Sequence, residues 1–170
     1  MNEQNQTFKI LIAAPKLYRS EHSTALASKN EYLIVLCNSV AETVEKIQSE
    51  QPDLLLVEQN LPGLKPLDLI IKVRSSDPDT PIVFLSENED NQAHNQLWSY
   101  GIDDLIKTEF SPIELQHRIA RSLKMRRLIK LHNSLKRENT GLRKLSQTDG
   151  LTQLTNRRAF NDMMETEFAR

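Results

Sequence analysis

The sequence has few of the features that mark secreted, membrane-bound or metal-cluster proteins. Cys37 is its only cysteine, which excludes an intramolecular disulfide and a cysteine-cluster metal site. No apolar run approaches the roughly 20 residues that a membrane helix requires. The polar start, MNEQNQTFK, lacks the apolar core of a secretory signal. We therefore expect a cytoplasmic protein that has no membrane partner.

The net charge of the chain is also small. The 22 Lys and Arg side chains are balanced by 23 Asp and Glu, which gives a formal net charge of −1. This balance argues against a protein that coats nucleic acid with its whole surface, although the distribution of charge matters more than its sum. The 170 residues leave room for one ordinary domain and some additional structure.

Five short apolar segments alternate with segments that carry helical signals. The apolar segments are KILIA (9–13), YLIVLC (32–37), DLLLVE (53–58), PIVFLS (81–86) and DDLIKT (103–108). Most are apolar throughout, which is typical of strands covered on both faces. Between them, Ser39 with Glu42 and Ser111 with Glu114 form capping boxes, and Pro112 stands at a first helical position. The alternation predicts an α/β fold, a doubly wound five-stranded parallel sheet with helices on both sides.

Polar side chains at the carboxyl ends of these strands could form a site. In a parallel sheet, ligands gather at that edge, near the point where the strand order reverses. The residues that end or follow the first, third, fourth and fifth strands are Ala14, Pro15, Glu58, Ser86, Lys107 and Thr108. We expect these six residues to surround one crevice.

The motif EQNLPG (58–63), the serine after PIVFL and the segment DDLIKTEF (103–110) make residues 1–122 resemble the receiver domain of response regulators. The resemblance implies a flavodoxin-like sheet of strand order 2-1-3-4-5. In that family two acids after the first strand hold a magnesium ion, and the third strand ends in a phosphoacceptor aspartate. A Thr or Ser ends the fourth strand, and a Lys-Pro pair follows the fifth. The cation neutralises oxygens of the incoming phosphoryl group during its transfer to the carboxylate.

The first departure from this pattern concerns the metal site. Ala14 and Pro15 stand where the acidic pair is expected, which leaves a magnesium ion one carboxylate at most. Glu58 stands at the phosphoacceptor position and is one methylene longer than aspartate. Three roles are open for Glu58. It could be a phosphoacceptor, which the missing acids argue against, a constitutive mimic of the phosphorylated state that reaches toward Ser86, or a strand-end acid without signalling weight.

The second departure concerns the groups that would hold phosphoryl oxygens. Ser86 keeps the expected hydroxyl. Thr108 takes the place of the lysine, and Lys107 lies one residue early, so strand alternation points it to the other face. The four histidines show no metal-ligand spacing and are assigned no chemistry. We therefore predict a degenerate receiver, or pseudo-receiver, without a metal site and without a histidine kinase as phosphodonor.

A long helix is predicted over residues 112–147, where only Gly141 interrupts the helical character. One stripe of this segment follows alternating three- and four-residue spacing: Leu128, Leu131, Leu135, Glu138, Leu142 and Leu145. The spacing predicts about two and a half heptads of coiled coil, weakened midway by the acid. We expect a homodimer through this stalk, with the receiver face as a further contact. An amphipathic helix folded back on the domain is the alternative.

The segment TDGLTQLTNRR (148–158) is the most specific motif of the chain. It resembles the Asp-x-Leu-Thr-x-Leu-x-Asn-Arg-Arg signature that opens GGDEF domains, the family of diguanylate cyclases. The matching residues are Asp149, Leu151, Thr152, Leu154, Asn156, Arg157 and Arg158. The resemblance implies that residues 148–170 begin a GGDEF domain whose metal-binding and guanine-contacting residues would lie later. We expect no enzyme activity and no cofactor for this chain, and a diguanylate cyclase that uses Mg²⁺ and GTP as its parent.

Nucleic-acid binding is the rival hypothesis. Ten Lys and Arg side chains occur between Arg118 and Lys144, against the single acid Glu138, and such a helix could dock on phosphates. The same charges could form the solvated outer face of a coiled coil. The GGDEF-like motif favours the coiled coil, and we therefore expect no nucleic-acid partner.

Overall fold

The structure, a computed structural model, describes residues 7–18, 26, 31–87, 90–107, 109–147 and 164. The elements along the chain are β1 (Phe8–Ala13), α1 (Pro15–Tyr18), β2 (Tyr32–Leu36), α2 (Val40–Glu50), β3 (Leu54–Glu58), α3 (Pro66–Ser76), β4 (Ile82–Ser86), α4 (Asn91–Ser99), β5 (Asp104–Lys107) and α5 (Pro112–Gln147). The chain divides into two compact units, Met1–Arg127 and Leu128–Arg170.

The five strands form one parallel sheet in the order β2-β1-β3-β4-β5, which confirms the predicted topology. Residues 54–57 of β3 and all of β4 are buried. Such burial explains why these segments are apolar throughout and do not alternate with polar residues. The order reverses between β1 and β3, so the ends of these two strands flank the crevice where ligands of such sheets bind.

The sheet separates two hydrophobic cores. Successive strand side chains point to opposite faces, so that Leu55 belongs to one core and Leu56 to the other. The first core is closed by side chains from α2, α3 and α4, among them Ile47, Leu69 and Leu97. Helix α5 covers the second core with Leu115, Ile119 and Leu123, which are at most 2% exposed. The first four turns of α5 are therefore part of the receiver-like unit.

Both predicted capping boxes have the expected serine cap. The backbone N–H of Glu42 donates to Ser39 Oγ at 3.2 Å, and Glu42 Oε2 accepts from Asn38 N at 2.8 Å. At the start of α5, the N–H of Glu114 donates to Ser111 Oγ at 3.1 Å. The Glu114 carboxylate instead pairs with an arginine one turn further on, so only the serine half of the second box forms, and in the first box the Glu42 carboxylate binds the N–H one residue before the N-cap.

The second unit begins within α5. Leu128, Leu131 and Leu135 are 51%, 55% and 56% exposed. The side chains of Leu142 and Leu145 and the whole GGDEF-like motif (148–158) lie outside the part of the chain that the structure describes. Within the described residues, no helix combines the length and the apolar character that a bilayer crossing requires.

Candidate functional site

Glu58 ends β3, and its carboxylate binds the chain that follows β1. Oε1 accepts hydrogen bonds from the backbone N–H groups of Lys16 at 3.0 Å and Leu17 at 3.1 Å. Both amides belong to α1, and the first N–H groups of a helix have no partner within it. Glu58 therefore joins the end of β3 to the end of β1. The hypothesis that it reaches toward Ser86 is wrong, because its hydrogen bonds lie on the β1 side.

Ser86 ends β4 and is 1% exposed. Its hydroxyl donates to Gln59 Oε1 at 2.5 Å, and Oγ lies 2.9 Å from His94 Nε2. A hydroxyl has one hydrogen, so with that hydrogen directed to Gln59 the imidazole Nε2–H donates to Oγ. The hydroxyl that the sequence retains is thus engaged in a buried polar cluster of Ser86, Gln59 and His94.

The sequence pattern points to neither of the other two members of this cluster, His94 and Gln59. His94 is 7% exposed and lies one turn into α4, whose N-cap residue Asp90 accepts from Gln92 N at 2.8 Å. Gln59 binds Ser86 at the end of β4. The preceding residue, Glu58, binds the segment that follows β1, on the other side. A sequence signal was available, because a histidine in the first turn after a strand that ends in serine can turn back to it.

A further contact joins the loops after β1 and β4. Lys16 Nζ lies 2.6 Å and 2.7 Å from the two carboxylate oxygens of Glu87, and Asn60 Nδ2 lies 3.4 Å from Glu87 Oε2. The hydrogen bond to Glu87 raises the pKa of Lys16, and the negative charge of Glu58 adds to this. The same hydrogen bond lowers the pKa of Glu87. Both groups are therefore charged over the whole neutral range.

Among the described residues, the remaining predicted site positions take part in none of the polar contacts above. Ala14 is 1% exposed and packs in the second core, and Pro15 is the first residue of α1. Lys107 is exposed at the end of β5, where its Cα pairs in register with Ser86. Thr108 lies outside the described residues. The structure thus brings five of the six predicted positions to one edge of the sheet.

Comparison with known proteins agrees with this geometry. A model of the response regulator receiver domain matches residues 11–120. The chain belongs to this family.

Curated relatives of the receiver include response regulators and transcriptional regulators. The response regulator MprA of Mycobacterium ulcerans is 29% identical over 101 residues, which cover 59% of this chain and 44% of that protein. The transcriptional regulatory protein KdpE of Staphylococcus aureus is 30% identical over 88 residues, which cover 52% of this chain and 38% of that protein. The chain therefore spans less than half the length of these relatives.

Solved structures show the same receiver fold. A CheY-like receiver from Methanospirillum hungatei has a TM-score of 0.65 at 19% identity, covering 72% of this chain and 98% of that one. The receiver domain of a sensor histidine kinase from Pseudomonas aeruginosa has a TM-score of 0.60 at 20% identity, covering 69% and 98%. The second structure was solved with a magnesium ion coordinated in its active-site cleft.

The residues of this receiver do not fit such an ion. Magnesium prefers oxygen ligands, and neither Ala14 nor Pro15 has a side-chain oxygen. Oε1 of Glu58 accepts two backbone N–H groups, and both oxygens of Glu87 face an ammonium group. Among the described residues, no group of three or more His, Cys, Asp or Glu is placed to hold a metal ion.

Two of the ten basic side chains considered for nucleic-acid binding are used inside the receiver. Arg118 Nη1 binds both carboxylate oxygens of Asp104, at 3.0 Å and 3.1 Å. Arg126 is 4% exposed and donates to Asp77 Oδ2 at 2.7 Å and Thr80 Oγ1 at 2.6 Å. Arg126 is too buried to contact a phosphate without breaking these bonds, and Arg118 would have to share its guanidinium with Asp104.

Proposed function

We propose that this chain is the regulatory, dimerising N-terminal part of a response-regulator diguanylate cyclase, with a pseudo-receiver that is not phosphorylated. Membership of the receiver family supports the regulatory role. The observation that carries the pseudo-receiver is the site itself, in which Glu58 binds backbone N–H groups beside Ala14 and Pro15. In this site, Glu58 links the end of β3 to the end of β1 by hydrogen bonds.

Phosphoryl transfer to this site would lack its electrostatic support. The oxygens of the incoming group carry negative charge that a metal ion normally neutralises. The acids that would hold the ion are replaced by apolar side chains. The hydroxyl of Ser86 is already hydrogen-bonded to Gln59 and His94 in a buried cluster. A phosphoryl group on Glu58 would also cost the two hydrogen bonds that its Oε1 accepts.

Exposure to a small phosphodonor or to a phosphoryl analogue tests whether the receiver can be modified. Incubation with acetyl phosphate or beryllium fluoride and magnesium should leave both the intact mass and the self-association of the protein unchanged, because no metal ion is held beside Glu58. A receiver with an aspartate and two metal-binding acids, treated in parallel, verifies that the reagents are active. A phosphorylated adduct on Glu58 in the peptide mass spectrum would contradict the proposal.

The dimer is supported by the apolar side chains of α5. Leu128, Leu131 and Leu135 follow the heptad spacing, and each is more than half exposed in the single chain. In a parallel two-stranded coiled coil such residues pack into the partner helix and leave water. The second copy of the chain is the simplest partner that presents the same stripe in the same register.

A charge on this stripe tests the dimer. Leu135→Lys should weaken self-association at least tenfold in sedimentation equilibrium, because a buried lysine would face its own copy. Ser134→Lys introduces the same side chain at the neighbouring exposed position and should leave association nearly unchanged. Equal association constants for wild type and Leu135→Lys would place the dimer contact elsewhere.

The cyclase assignment is supported by the motif at residues 148–158. Diguanylate cyclases join two GTP molecules between two facing domains, so the geometry of a dimer controls the rate through positioning. The reading frame of the gene should continue into the remainder of a GGDEF domain, and the longer protein should lose GTP condensation when Leu135→Lys is introduced. A longer protein with another kind of domain would refute this assignment.

Nucleic-acid binding is the alternative function. Arg121, Lys124 and Arg127 remain exposed on α5 after Arg118 and Arg126 are excluded. Titration with random duplex DNA and with RNA separates the alternatives, because phosphate binding weakens steeply with salt. Salt-dependent binding would favour a nucleic-acid regulator, whereas a concentration-dependent dimer without such binding agrees with the stalk.

A further inference from the structure

Lys16 is the residue at which three strand ends of the receiver meet. It lies three positions after the last residue of β1, its backbone N–H donates to Glu58 at the end of β3, and its ammonium group binds Glu87 directly after β4. The segments that it joins are 42 and 71 positions away in sequence. A single residue therefore connects the loops that form the receiver crevice.

The charges around Lys16 resemble a small cation site. Its Nζ lies 2.6 Å and 2.7 Å from both oxygens of Glu87, short distances that are typical of charge-assisted hydrogen bonds. Glu58 is near enough for its negative charge to act on the ammonium. Asn60 adds an amide donor to Glu87 at 3.4 Å. The ammonium of Lys16 thus contacts one strand-end carboxylate, Glu87, while the backbone N–H of the same residue binds the other, Glu58.

We propose that the ammonium group of Lys16 is the resident cation of this site and replaces the divalent ion that the receiver family holds there. The inference deepens the proposed function, on which it rests, by naming the group that neutralises the crevice when magnesium is not used. A divalent ion that bound Glu58 and Glu87 would have to displace the ammonium and meet its charge. Lys16 therefore both closes the crevice and excludes the metal.

This replacement changes what can control the site. A bound magnesium ion responds to metal concentration and to phosphorylation, whereas an ammonium on the same chain is always present. The contact is nevertheless exposed, since the side chains of Lys16 and Glu87 are 64% and 42% accessible, so salt screens it. The contact that joins the loops after β1, β3 and β4 therefore does not depend on the magnesium concentration, and it weakens as ionic strength rises.

Removal of the ammonium should uncover a metal site. Lys16→Met keeps the backbone N–H for Glu58 and most of the side-chain stem, and leaves Glu58 and Glu87 without a cation. In titration calorimetry with MnCl₂, we expect no saturable binding by the wild type and saturable binding by Lys16→Met, with a Kd at least tenfold below the highest manganese concentration tested. The same variant should show a manganese-dependent rise in Tm. Lys16→Arg, which keeps the positive charge, should not gain binding.

Two further variants locate the effect. The double variant Lys16→Met/Glu87→Gln removes one of the two carboxylates and should lose the gained manganese binding. Lys9→Met removes a lysine that pairs with Glu50 at 2.9 Å near the start of β1, and it should gain nothing. Manganese binding by Lys9→Met, or its persistence in the double variant, would show that the metal binds outside the crevice and overturn the inference.

The inference and the proposed function can fail separately. If neither the wild type nor Lys16→Met binds manganese while both fold normally, Lys16 is not what excludes the metal, and the pseudo-receiver stands without it. If the wild type itself binds manganese and Glu58→Gln abolishes that binding, the metal-free receiver is wrong, and the inference fails with it.

Discussion

The two edges of the receiver sheet are held by different kinds of charged contact. At the carboxyl edge, Lys16 and Glu87 pair in an exposed position with 64% and 42% of their side chains accessible. At the amino edge, Arg126 is 4% exposed and binds Asp77 at 2.7 Å. An exposed pair contributes little to folding, whereas a buried charge that loses its partner is costly.

Arg126 connects three segments at the amino edge. Nη1 and Nη2 donate to Thr80 and Asp77, which lie between α3 and β4, and Nε lies 3.4 Å from Asp53 Oδ1 without hydrogen-bond geometry. Asp53 in turn accepts from the backbone N–H of Lys9 near the start of β1 at 3.0 Å. Of these two contacts, the buried one at Arg126 should therefore contribute more to stability, and the exposed Lys16–Glu87 pair can change at small cost.

The largest effect expected from this comparison is at Arg126. Arg126→Met removes a buried guanidinium from two aspartates and should lower the free energy of unfolding by about 3 kcal/mol. Arg127→Met, at the exposed neighbouring position, should change it by less than about 0.5 kcal/mol. Urea unfolding measures both values. Equal stability of the two variants would remove the distinction between the edges.

A smaller loss is expected for the buried polar cluster behind the crevice. Ser86→Ala leaves His94 and Gln59 without their shared partner, which should lower the free energy of unfolding by about 1 to 2 kcal/mol. Ser75→Ala is the matched control, because its exposed hydroxyl donates only to Ile71 O of its own helix. A loss for Ser86→Ala no larger than for this control would mean that the cluster is not a structural contact.

The smallest effect is expected for the exposed pair, and its sign follows from the two pKa shifts. Glu87 has a pKa lowered from 4.5 by its hydrogen bond to Lys16, so its contribution is present above that value and is lost as pH falls through the lowered one. Lys16 has a pKa raised from 10.5 by the same bond, so its contribution is lost as pH rises through the raised value.

Glu87→Gln should therefore lower Tm slightly at neutral pH. The difference from wild type should disappear in strong acid and in about 1 M salt, where charges are screened within about 3 Å. Thermal scans over a pH series at two salt concentrations measure this. A Tm difference that persists in strong acid would mean that the charge of Glu87 is not its cause, and a higher Tm of the variant at neutral pH would mean that the pair opposes folding.

The sequence predicted the sheet correctly because its signals are local. Five apolar segments separated by capped helices specify strands covered on both faces, and parallel connections then bring the strand ends to one edge. Ala14, Glu58 and Ser86 lie at that edge for this reason. The same reasoning could not tell which neighbour each side chain binds, because that choice depends on contacts between distant segments.

The errors and omissions follow from that limit. The sequence leaves three roles open for Glu58 and cannot choose its direction, and the Lys16–Glu87 pair joins residues 71 positions apart, which no periodicity reveals. Charge alone groups Arg126 with the basic side chains of the helix. Its spacing was the available signal, since it continues the buried stripe of Ile119 and Leu123 by three residues.

The anchoring of Arg126 has a practical consequence for building chimaeric proteins. A fusion that joined this receiver to a foreign output module after residue 122 would delete Leu123 and Arg126 together. The apolar contact under the sheet would open, and Asp77 and Asp53 would face a gap. A junction at Leu128 or later preserves both contacts, so heterologous modules should be transplanted onto the helix only from that residue onward.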